Sequence, residues 1–335
     1  MQALENLVLL GEKLKSSSRL QEIILKASNK NPWFTPAFTQ HALDALLSQM
    51  LNKQKLEEWA ARYPARQVNK TVALIFAGNI PLVGVHDFLC CYISGGRMQI
   101  KLSSKDDELF LFLLQLLFEI DREAKNKIAI VESLKNYDAV IATGSNNTNR
   151  YFEYYFRQHP KILRKSRNAV AVLNGEETDA CLQKLADDVF LYFGFGCRNV
   201  SKIYVPVDFD LKRLFPAFEV KYKWLHSHNK YMSNYDYQRT ILMLNKTKHL
   251  ANEFLMLQEN TSIASPIATL YFERWHDENV LLSHLKQQSE KIQCIVSAEP
   301  AKWNFTSSVN FGEAQQPSLT DYADGVDTLA FLQSL

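Results

Sequence analysis

The segment TVALIFAGNIPLVGVHDFLCCYISGGRMQIKL, residues 71–102, places two short apolar runs on either side of a helical pattern. The runs at 71–77 and 97–102 have the apolar and β-branched residues of buried strands, whereas 82–94 has the spacing of a helix. A strand, a helix and a second strand at this spacing favour a right-handed crossover between parallel strands. We therefore predict an α/β fold with parallel sheets and helices on both faces.

The same alternation continues along the chain. Further strands are predicted at 127–131, 138–143 and 169–173, with helices at 105–123 and 147–158. A second group of elements follows. Its helices are predicted at 179–192, 209–217 and 235–256, and its strands at 201–207, 267–272, 293–297 and 307–311. Ahead of both groups, residues 1–60 have helical spacing, and Thr35 followed by Pro36 is typical of a helix start.

The length of 335 residues suggests two domains. Polar residues collect in NGEETD, 174–179, between a predicted strand and a predicted helix. We place the boundary near 174–180. This gives a first domain at 1–174, a second at 175–315 and a C-terminal tail at 316–335 that packs back on the body.

Composition and charge exclude several classes of protein. The net charge is +2, from 38 basic and 36 acidic residues, which gives no reason to expect a nucleic acid as partner. The N-terminus lacks the pattern of a secretion signal, and the longest apolar run, 109–120, is about 12 residues against the roughly 20 of a membrane span. The five cysteines have no zinc-ligand spacing. We expect a cytoplasmic protein with reduced thiols, no metal and no membrane span.

Polar residues follow the predicted strands, where ligands of open parallel sheets bind. Asn79 follows the strand at 71–77. Lys101 is a cation at the end of the strand at 97–102, and Ser104 and Lys105 follow that strand. Ser104 could cap the next helix together with Asp107. Gly144 and Ser145 open a helix after 138–143, where free backbone N–H groups favour an anion. Each feature also has an ordinary explanation, as helix capping or a solvated surface charge.

Cys197 lies in YFGFGCRNVSKIYVP, residues 192–206, between glycines and an arginine just ahead of a strand. A buried thiol at a tight turn and a reactive nucleophile are both compatible with this pattern.

Taken in order, these segments resemble the aldehyde dehydrogenase superfamily. GNIPL at 78–82 resembles its Asn-Phe-Pro turn, QIKLSSKDDEL at 99–109 its Val-Lys-Pro stretch, and VIATGSNNTNRYF at 140–152 its Thr-Gly-Ser loop. GFGCRNVSKIYVP at 194–206 is similar to its Gly-Gln-x-Cys motif, and the segment from SPIATLYF at 265–272 onward to its Gly-Pro-Val stretch. Together with the tail FGEAQQPSLTDYADGVDTLAFLQSL, the chain resembles the acyl-CoA reductases related to the fatty-acid reductase of bacterial luminescence.

This resemblance implies two Rossmann-like α/β domains behind an N-terminal helical segment, with a nicotinamide cofactor on the first domain and Cys197 on the second. The thiolate of Cys197 would attack an acyl-CoA thioester, with the oxyanion held by the Asn79 amide and the backbone N–H of Cys197. Hydride transfer would then release an aldehyde. Lys101, Ser104, Lys105, Gly144 and Ser145 would bind the cofactor. His86 could act as an acid or be a half-buried histidine, and Arg198 could favour the thiolate or be a surface charge.

Three departures from the superfamily pattern refine the expectation. Residues 161–168, KILRKSRN, have no carboxylate where hydrolytic members carry a glutamate, so coenzyme A rather than water suits the reaction as acyl acceptor. Ser262 replaces the glutamate that usually grips the nicotinamide ribose. Ser104 and Lys105 stand where many NAD-using members have a carboxylate, which favours NADPH over NADH.

Other readings stay open. The acyl donor could be an acyl phosphate or an acyl-carrier-protein thioester, and a non-catalytic ligand-binding descendant of the fold is a third hypothesis. A homodimer is an open option for the assembly. The aromatic-rich segment 221–239 could line an acyl or coenzyme A channel or be a packed helix and loop.

Overall fold

The computed structural model describes residues 2–64, 66–303, 305 and 307–335. The chain forms two compact units, one made of Met1–Ser166 with Gln316–Leu335 and the other of Arg167–Gln315. Each unit contains a largely parallel sheet with helices packed on it. The predicted α/β fold with two parallel sheets and an N-terminal helical segment is confirmed.

The sheet of the first unit has five parallel strands in the order β3-β2-β1-β4-β5. These are β1 (Thr71–Ile75), β2 (Arg97–Lys101), β3 (Ile128–Ile130), β4 (Ala139–Thr143) and β5 (Lys161–Arg164). The chain runs outward from β1 through β2 to β3 and then crosses to β4, on the other side of β1. The direction of winding therefore reverses between β1 and β4.

In the part of this unit that the structure describes, eight α-helices precede or connect these strands. They are α1 (Gln2–Ser16), α2 (Leu20–Lys30), α3 (Pro36–Ala45), α4 (Lys53–Ala60), α5 (Val85–Ser94), α6 (Glu108–Ile120), α7 (Ala124–Lys127) and α8 (Asn146–Tyr155). Thr35 caps α3 by accepting the N–H of Phe38, as predicted. Alternate residues of β1 face different cores, because Val72 belongs to the large cluster with the N-terminal helices and Ala73 to a smaller cluster on the opposite face.

The second unit has a seven-stranded sheet in the order β12-β11-β6-β7-β10-β9-β8, parallel except for the β8–β9 pair. Its strands are β6 (Asn168–Val172), β7 (Val200–Pro206), β8 (His249–Ala251), β9 (Met256–Glu259), β10 (Thr269–Trp275), β11 (Ile292–Ser297) and β12 (Ser308–Val309). Its helices are α9 (Asp179–Phe190), α10 (Leu214–Tyr222), α11 (Asn229–Leu244) and α12 (Glu278–Gln287).

The two units divide between Ser166 and Arg167, ahead of the boundary at 174–180 that the sequence suggested. The reason is the pairing of β6, which lies between β7 and β11 in the second sheet. Residues 168–174 therefore belong with the second unit and not with the first.

The C-terminal residues 316–335 group with the first unit. They end in α13 (Thr328–Gln333), which packs on α5. Leu319, Leu329 and Leu332 are buried in the main core of that unit.

Two other predictions need correction. The helix expected at 235–256 ends at Leu244, since Lys246 takes a left-handed conformation with φ of 52° and the chain then enters β8 and β9. Strand β5 was not predicted, because a four-residue edge strand with a charge at each end gives little apolar signal.

No helix in the described part of the chain is long and apolar enough to cross a membrane. Within the same residues, no group of three or more His, Cys, Asp or Glu side chains is arranged to hold a metal ion.

Candidate active site

Cys197 lies in a tight turn just ahead of β7. The N–H of Asn199 donates to the carbonyl oxygen of Gly196 over 3.0 Å, so Cys197 and Arg198 occupy the two central positions of the turn. Cys197 is partly exposed, whereas Arg198 and Asn199 are buried. The turn thus leaves Cys197 partly exposed while the two residues after it are anchored inside the second unit.

Asn199 ties this turn to the end of α9. Its amide nitrogen donates to the carbonyl oxygens of Asp188, Val189 and Leu191 over 3.0, 3.3 and 2.8 Å. Its amide oxygen accepts the N–H of Gly196 over 2.8 Å. One side chain therefore satisfies four backbone groups on both sides of the segment that leads to Cys197.

Arg198 points into the second unit. Its Nε donates to the carbonyl oxygen of Ala314, and one terminal nitrogen donates to the Ser307 hydroxyl over 3.2 Å. The exposed surface charge that the sequence allowed is wrong, because only 6% of Arg198 is exposed. The guanidinium holds the segment 307–314 close to the turn of Cys197.

Asp188 is a fully buried carboxyl next to the same segment. It accepts the N–H groups of Gly312 and Ala314 over 2.6 and 3.0 Å. Burial raises the pKa of Asp188 to about 7, although these two N–H groups and the charge of Arg198 lower it. Sequence analysis missed Asp188 and Asn199, since their partners are backbone atoms that no side-chain motif shows.

Three residues just ahead of Phe195 and this turn adopt an unusual conformation. Tyr192, Phe193 and Gly194 have φ of 54°, 55° and 80°, in the left-handed region. For residues other than glycine this region costs roughly 1–2 kcal/mol each and often occurs next to functional sites. The Phe193 ring packs against His228 and Tyr231, at centroid distances of 4.5 and 5.9 Å.

The aromatic-rich segment 221–239 therefore contacts the loop that carries Cys197. Tyr231 and Tyr235 are buried, and their hydroxyls donate to the carbonyl oxygens of Phe254 and Asn252. Of the two readings of this segment, these contacts favour the packed helix and loop.

In the first unit, the loop after β1 is fixed by the loop after β2. Asp106 accepts the N–H of Leu82 over 2.7 Å, and Leu82 itself has a φ of 58°. A Cβ atom on Gly78 would lie 2.4 Å from the Ser103 hydroxyl, so only glycine allows this approach. Asn79, between these contacts, is exposed. Asp106 is a third residue that sequence analysis missed.

The loop after β2 exposes the predicted cofactor residues Lys101, Ser104 and Lys105. Ser104 does not cap α6 as expected. Asp107 immediately precedes that helix without a side-chain cap, and Ser103 closes the turn by accepting the N–H of Lys105 over 3.3 Å. The hydroxyl of Ser104 is thus not committed to helix capping.

Gly144 and Ser145 open α8, as predicted. Ser145 caps the helix by accepting the N–H of Thr148 over 3.2 Å. A Cβ atom on Gly144 would lie 3.1 Å from Thr148 and Phe152, which explains the need for a small residue. The side chain of Asn149 holds the loop by donating to the carbonyl oxygens of Gly144 and Arg164.

The fold brings these three loops to one edge of the first sheet. The residues follow the carboxyl ends of β1, β2 and β4, and the winding reverses between β1 and β4. Ligands of doubly wound sheets bind at this kind of crevice. The assignment of Lys101, Ser104, Lys105, Gly144 and Ser145 to a cofactor stays a prediction that this placement supports.

His86 lies elsewhere, at the start of α5, and its ring contacts the C-terminal tail. One ring nitrogen lies 3.0 Å from the Leu319 carbonyl oxygen, and the ring contacts Tyr322 at a centroid distance of 5.5 Å. Burial lowers the pKa of His86. Of the two readings of His86, these contacts favour the half-buried histidine, and a role as an acid stays an untested prediction.

The residues of the candidate site match a known family. The sequence model of acyl-CoA reductase (LuxC) matches residues 8–213, which is more than half of the chain and includes Asn79, Lys101, Gly144 and Cys197. The chain belongs to the acyl-CoA reductase (LuxC) family. As a member of this family it is an oxidoreductase that acts on acyl and aldehyde groups.

Solved structures confirm the fold of this acyl-CoA reductase (LuxC) protein. A NAD-dependent benzaldehyde dehydrogenase from Corynebacterium glutamicum is 14% identical, with a TM-score of 0.69 over 94% of this chain and 83% of that one. Aldehyde dehydrogenase 21 from Physcomitrella patens is 11% identical, with a TM-score of 0.66 over 99% and 83%. The NADP-dependent glyceraldehyde-3-phosphate dehydrogenase of Bacillus halodurans is 10% identical, with a TM-score of 0.65 over 92% and 77%. None of the curated proteins matches the chain in sequence.

Proposed function

We propose that this protein reduces an acyl-CoA thioester to an aldehyde with NADPH, through an acyl-enzyme on Cys197. The observation that carries the proposal is the partly exposed Cys197 at the centre of a turn whose flanking residues are buried and anchored. A nucleophile needs an accessible sulfur on a fixed backbone.

The proposed chemistry follows from this thiol. The Cys197 thiolate attacks the thioester carbon, and a new carbon–sulfur bond replaces the bond to coenzyme A, which leaves as its thiolate and takes a proton from solvent. The backbone N–H of Cys197 is proposed as a donor to the oxyanion. The donor role that the resemblance implies for Asn79, on the first unit, stays a prediction. Reduction of the enzyme thioester by one hydride then gives the aldehyde and returns the Cys197 thiolate.

The first unit has residues that fit a nicotinamide dinucleotide. When bound, this cofactor supplies the hydride. The helix start at Ser145 offers N–H groups to a phosphate, and Gly144 allows close approach of the backbone. Lys101 and Lys105 add exposed positive charge at the same edge of the sheet. Ser104 and Lys105 would accept a 2′-phosphate, which is the basis for proposing NADPH.

The choice of coenzyme A over water as acyl acceptor is proposed from a missing base. Residues 161–168 contain no carboxylate that could activate water, and Arg164 within them is buried in an ion pair with Asp87. With no base at that place, coenzyme A rather than water is the proposed partner of the acyl group.

Intact-protein mass spectrometry with a medium-chain acyl-CoA tests this proposal. We expect an acyl adduct on the wild type and none on Cys197→Ala, and we expect NADPH to discharge the adduct. An adduct that persists with NADPH would contradict the reductive step. No adduct with several chain lengths would point to an acyl-carrier-protein or acyl-phosphate donor, and failure with those donors too would favour the non-catalytic hypothesis.

A further inference from the structure

Asn199 holds both ends of the left-handed segment that leads to Cys197. Ahead of the segment, its amide nitrogen donates to the carbonyl oxygen of Leu191, and behind it, its amide oxygen accepts the N–H of Gly196. The strained residues Tyr192 and Phe193 lie between these two contacts. Strained backbone persists only where its surroundings over-determine it.

The chemistry of this position requires an asparagine. The side chain must donate N–H groups to carbonyl oxygens and also accept one backbone N–H. The amide of asparagine carries both a donor nitrogen and an acceptor oxygen. An aspartate would keep the acceptor, but as an ionised group it would place a negative charge against three carbonyl oxygens. An alanine would leave these buried backbone groups without their side-chain partner, which is costly for buried polar groups.

The main chain of Asn199 completes the arrangement. Its N–H closes the turn on Gly196, and its carbonyl oxygen accepts the N–H of Ala169 over 2.9 Å, next to the central strands of the sheet. The backbone of Cys197, including its N–H, is thus held from the sheet on one side and from α9 on the other.

We infer that Asn199 is a positioning residue for the nucleophile, since it clamps residues 191–196 and so orients the thiol and the backbone N–H of Cys197 toward the acyl group. This inference rests on the proposed function of Cys197. It predicts a loss in acylation that exceeds any loss in the intrinsic reactivity of the thiol. Orientation matters for an acyl-CoA that must also meet the oxyanion donors, and it matters little for a small alkylating agent.

Asn252 provides a matched control in the same unit. Its side chain also holds a turn, by donating to Glu219 and accepting the N–H groups of Phe254 and Leu255. Asn252→Ala therefore removes a comparable set of hydrogen bonds at a place outside the turn of Cys197.

The experiment measures two rates for wild type, N199A, N199D and N252A: single-turnover acylation of Cys197 by a medium-chain acyl-CoA, and alkylation of Cys197 by iodoacetamide. We expect N199A and N199D to acylate about tenfold or more slowly, with alkylation changed less than about threefold, and N252A to match wild type in both rates. Thermal unfolding identifies variants that fail to fold, and N199D keeps the side-chain size in case N199A does so.

Two results would overturn the inference while leaving the proposed function intact. One is acylation of N199A or N199D at the wild-type rate, and the other is an equal loss in N252A. A wild type that forms no acyl adduct with any donor would instead refute the proposed function, and the role of Asn199 with it.

Discussion

The guanidinium of Arg164 and the carboxylate of Asp87 form an ion pair of 2.8 Å in the interior of the first unit, with 4% and 11% of their side chains exposed. The Thr328 hydroxyl donates to the same carboxylate oxygen over 3.0 Å and lies 2.6 Å from the guanidinium. The pair thus joins β5, α5 and α13. Burial alone would raise the pKa of Asp87, but the charge and hydrogen bonds of Arg164, with the Thr328 hydroxyl, hold it below its usual range.

Asp87→Asn should lower the free energy of unfolding by about 3–5 kcal/mol, because it leaves the buried Arg164 charge uncompensated. Urea denaturation measures this loss. Lys13→Ala is the control. It breaks an exposed pair with Glu119, whose side chains are 45% and 48% exposed, and should cost at most about 1 kcal/mol. A loss below about 1 kcal/mol in Asp87→Asn would contradict the assigned role of the pair.

Asp106→Asn should change how stability depends on pH. Burial raises the pKa of Asp106 to about 7, against about 4 for an unfolded aspartate, while the N–H groups of Leu82 and Val83 lower it. Between these two pKa values the carboxyl of the unfolded chain is ionised, whereas the carboxyl of the folded chain keeps its proton. The stability that Asp106 contributes is therefore fully present below about pH 4 and is lost as the pH rises to about 7.

Asparagine does not titrate, so wild type should lose stability relative to Asp106→Asn as the pH rises from about 4 to about 7. Melting temperatures of both proteins across this window measure the difference. Asp138→Asn, which removes a more exposed carboxylate paired with Lys70, is the matched control. A constant difference between wild type and Asp106→Asn would show that Asp106 ionises normally.

Cys197 should alkylate faster than the other four cysteines at neutral pH. Cys90, Cys91 and Cys294 are fully buried, and burial raises the pKa of the Cys90 and Cys91 thiols. Cys181 is the informative comparison, because it is partly exposed like Cys197. Peptide mapping after a short pulse of iodoacetamide ranks the five sites. Equal rates at Cys181 and Cys197 would show that exposure alone explains the reactivity.

Ser104→Glu should shift the cofactor preference from NADPH toward NADH by about tenfold or more, because a carboxylate would repel a 2′-phosphate. The ratio of kcat/KM for the two cofactors is the measurement. Ser283→Glu adds the same charge at an exposed position on α12 and should leave the ratio unchanged. If Ser104→Glu also leaves it unchanged, the loop after β2 does not contact the 2′ position.

The sequence predicts those parts of the fold that depend on local pattern. The strands β1, β2 and β4 and the cap of α8 by Ser145 follow from apolar runs and from the residues that end them. The pairing of strands depends on distant segments. β6 has the same apolar character as β4, and nothing in its own residues indicates that it joins the second sheet.

The candidate site was predictable to a similar degree. Cys197 and the loop residues have recognisable chemistry and spacing, so a motif search finds them. Asp106, Asp188 and Asn199 act by satisfying backbone N–H and carbonyl groups that only the folded chain brings near them. His86 shows the opposite case. A histidine one turn after Pro81 suggests acid chemistry, but the tail at Leu319 covers it.

The placement of residues 316–335 in the first unit has a consequence for synthesis of the chain. The ribosome releases the N-terminal 166 residues long before it releases Leu319, Leu329 and Leu332, which complete their core. The second unit is continuous from Arg167 to Gln315 and can therefore fold as one segment. At that stage the first unit still exposes the surface of α5 that α13 will cover. During synthesis, the second unit should thus be able to complete its fold before the first unit does.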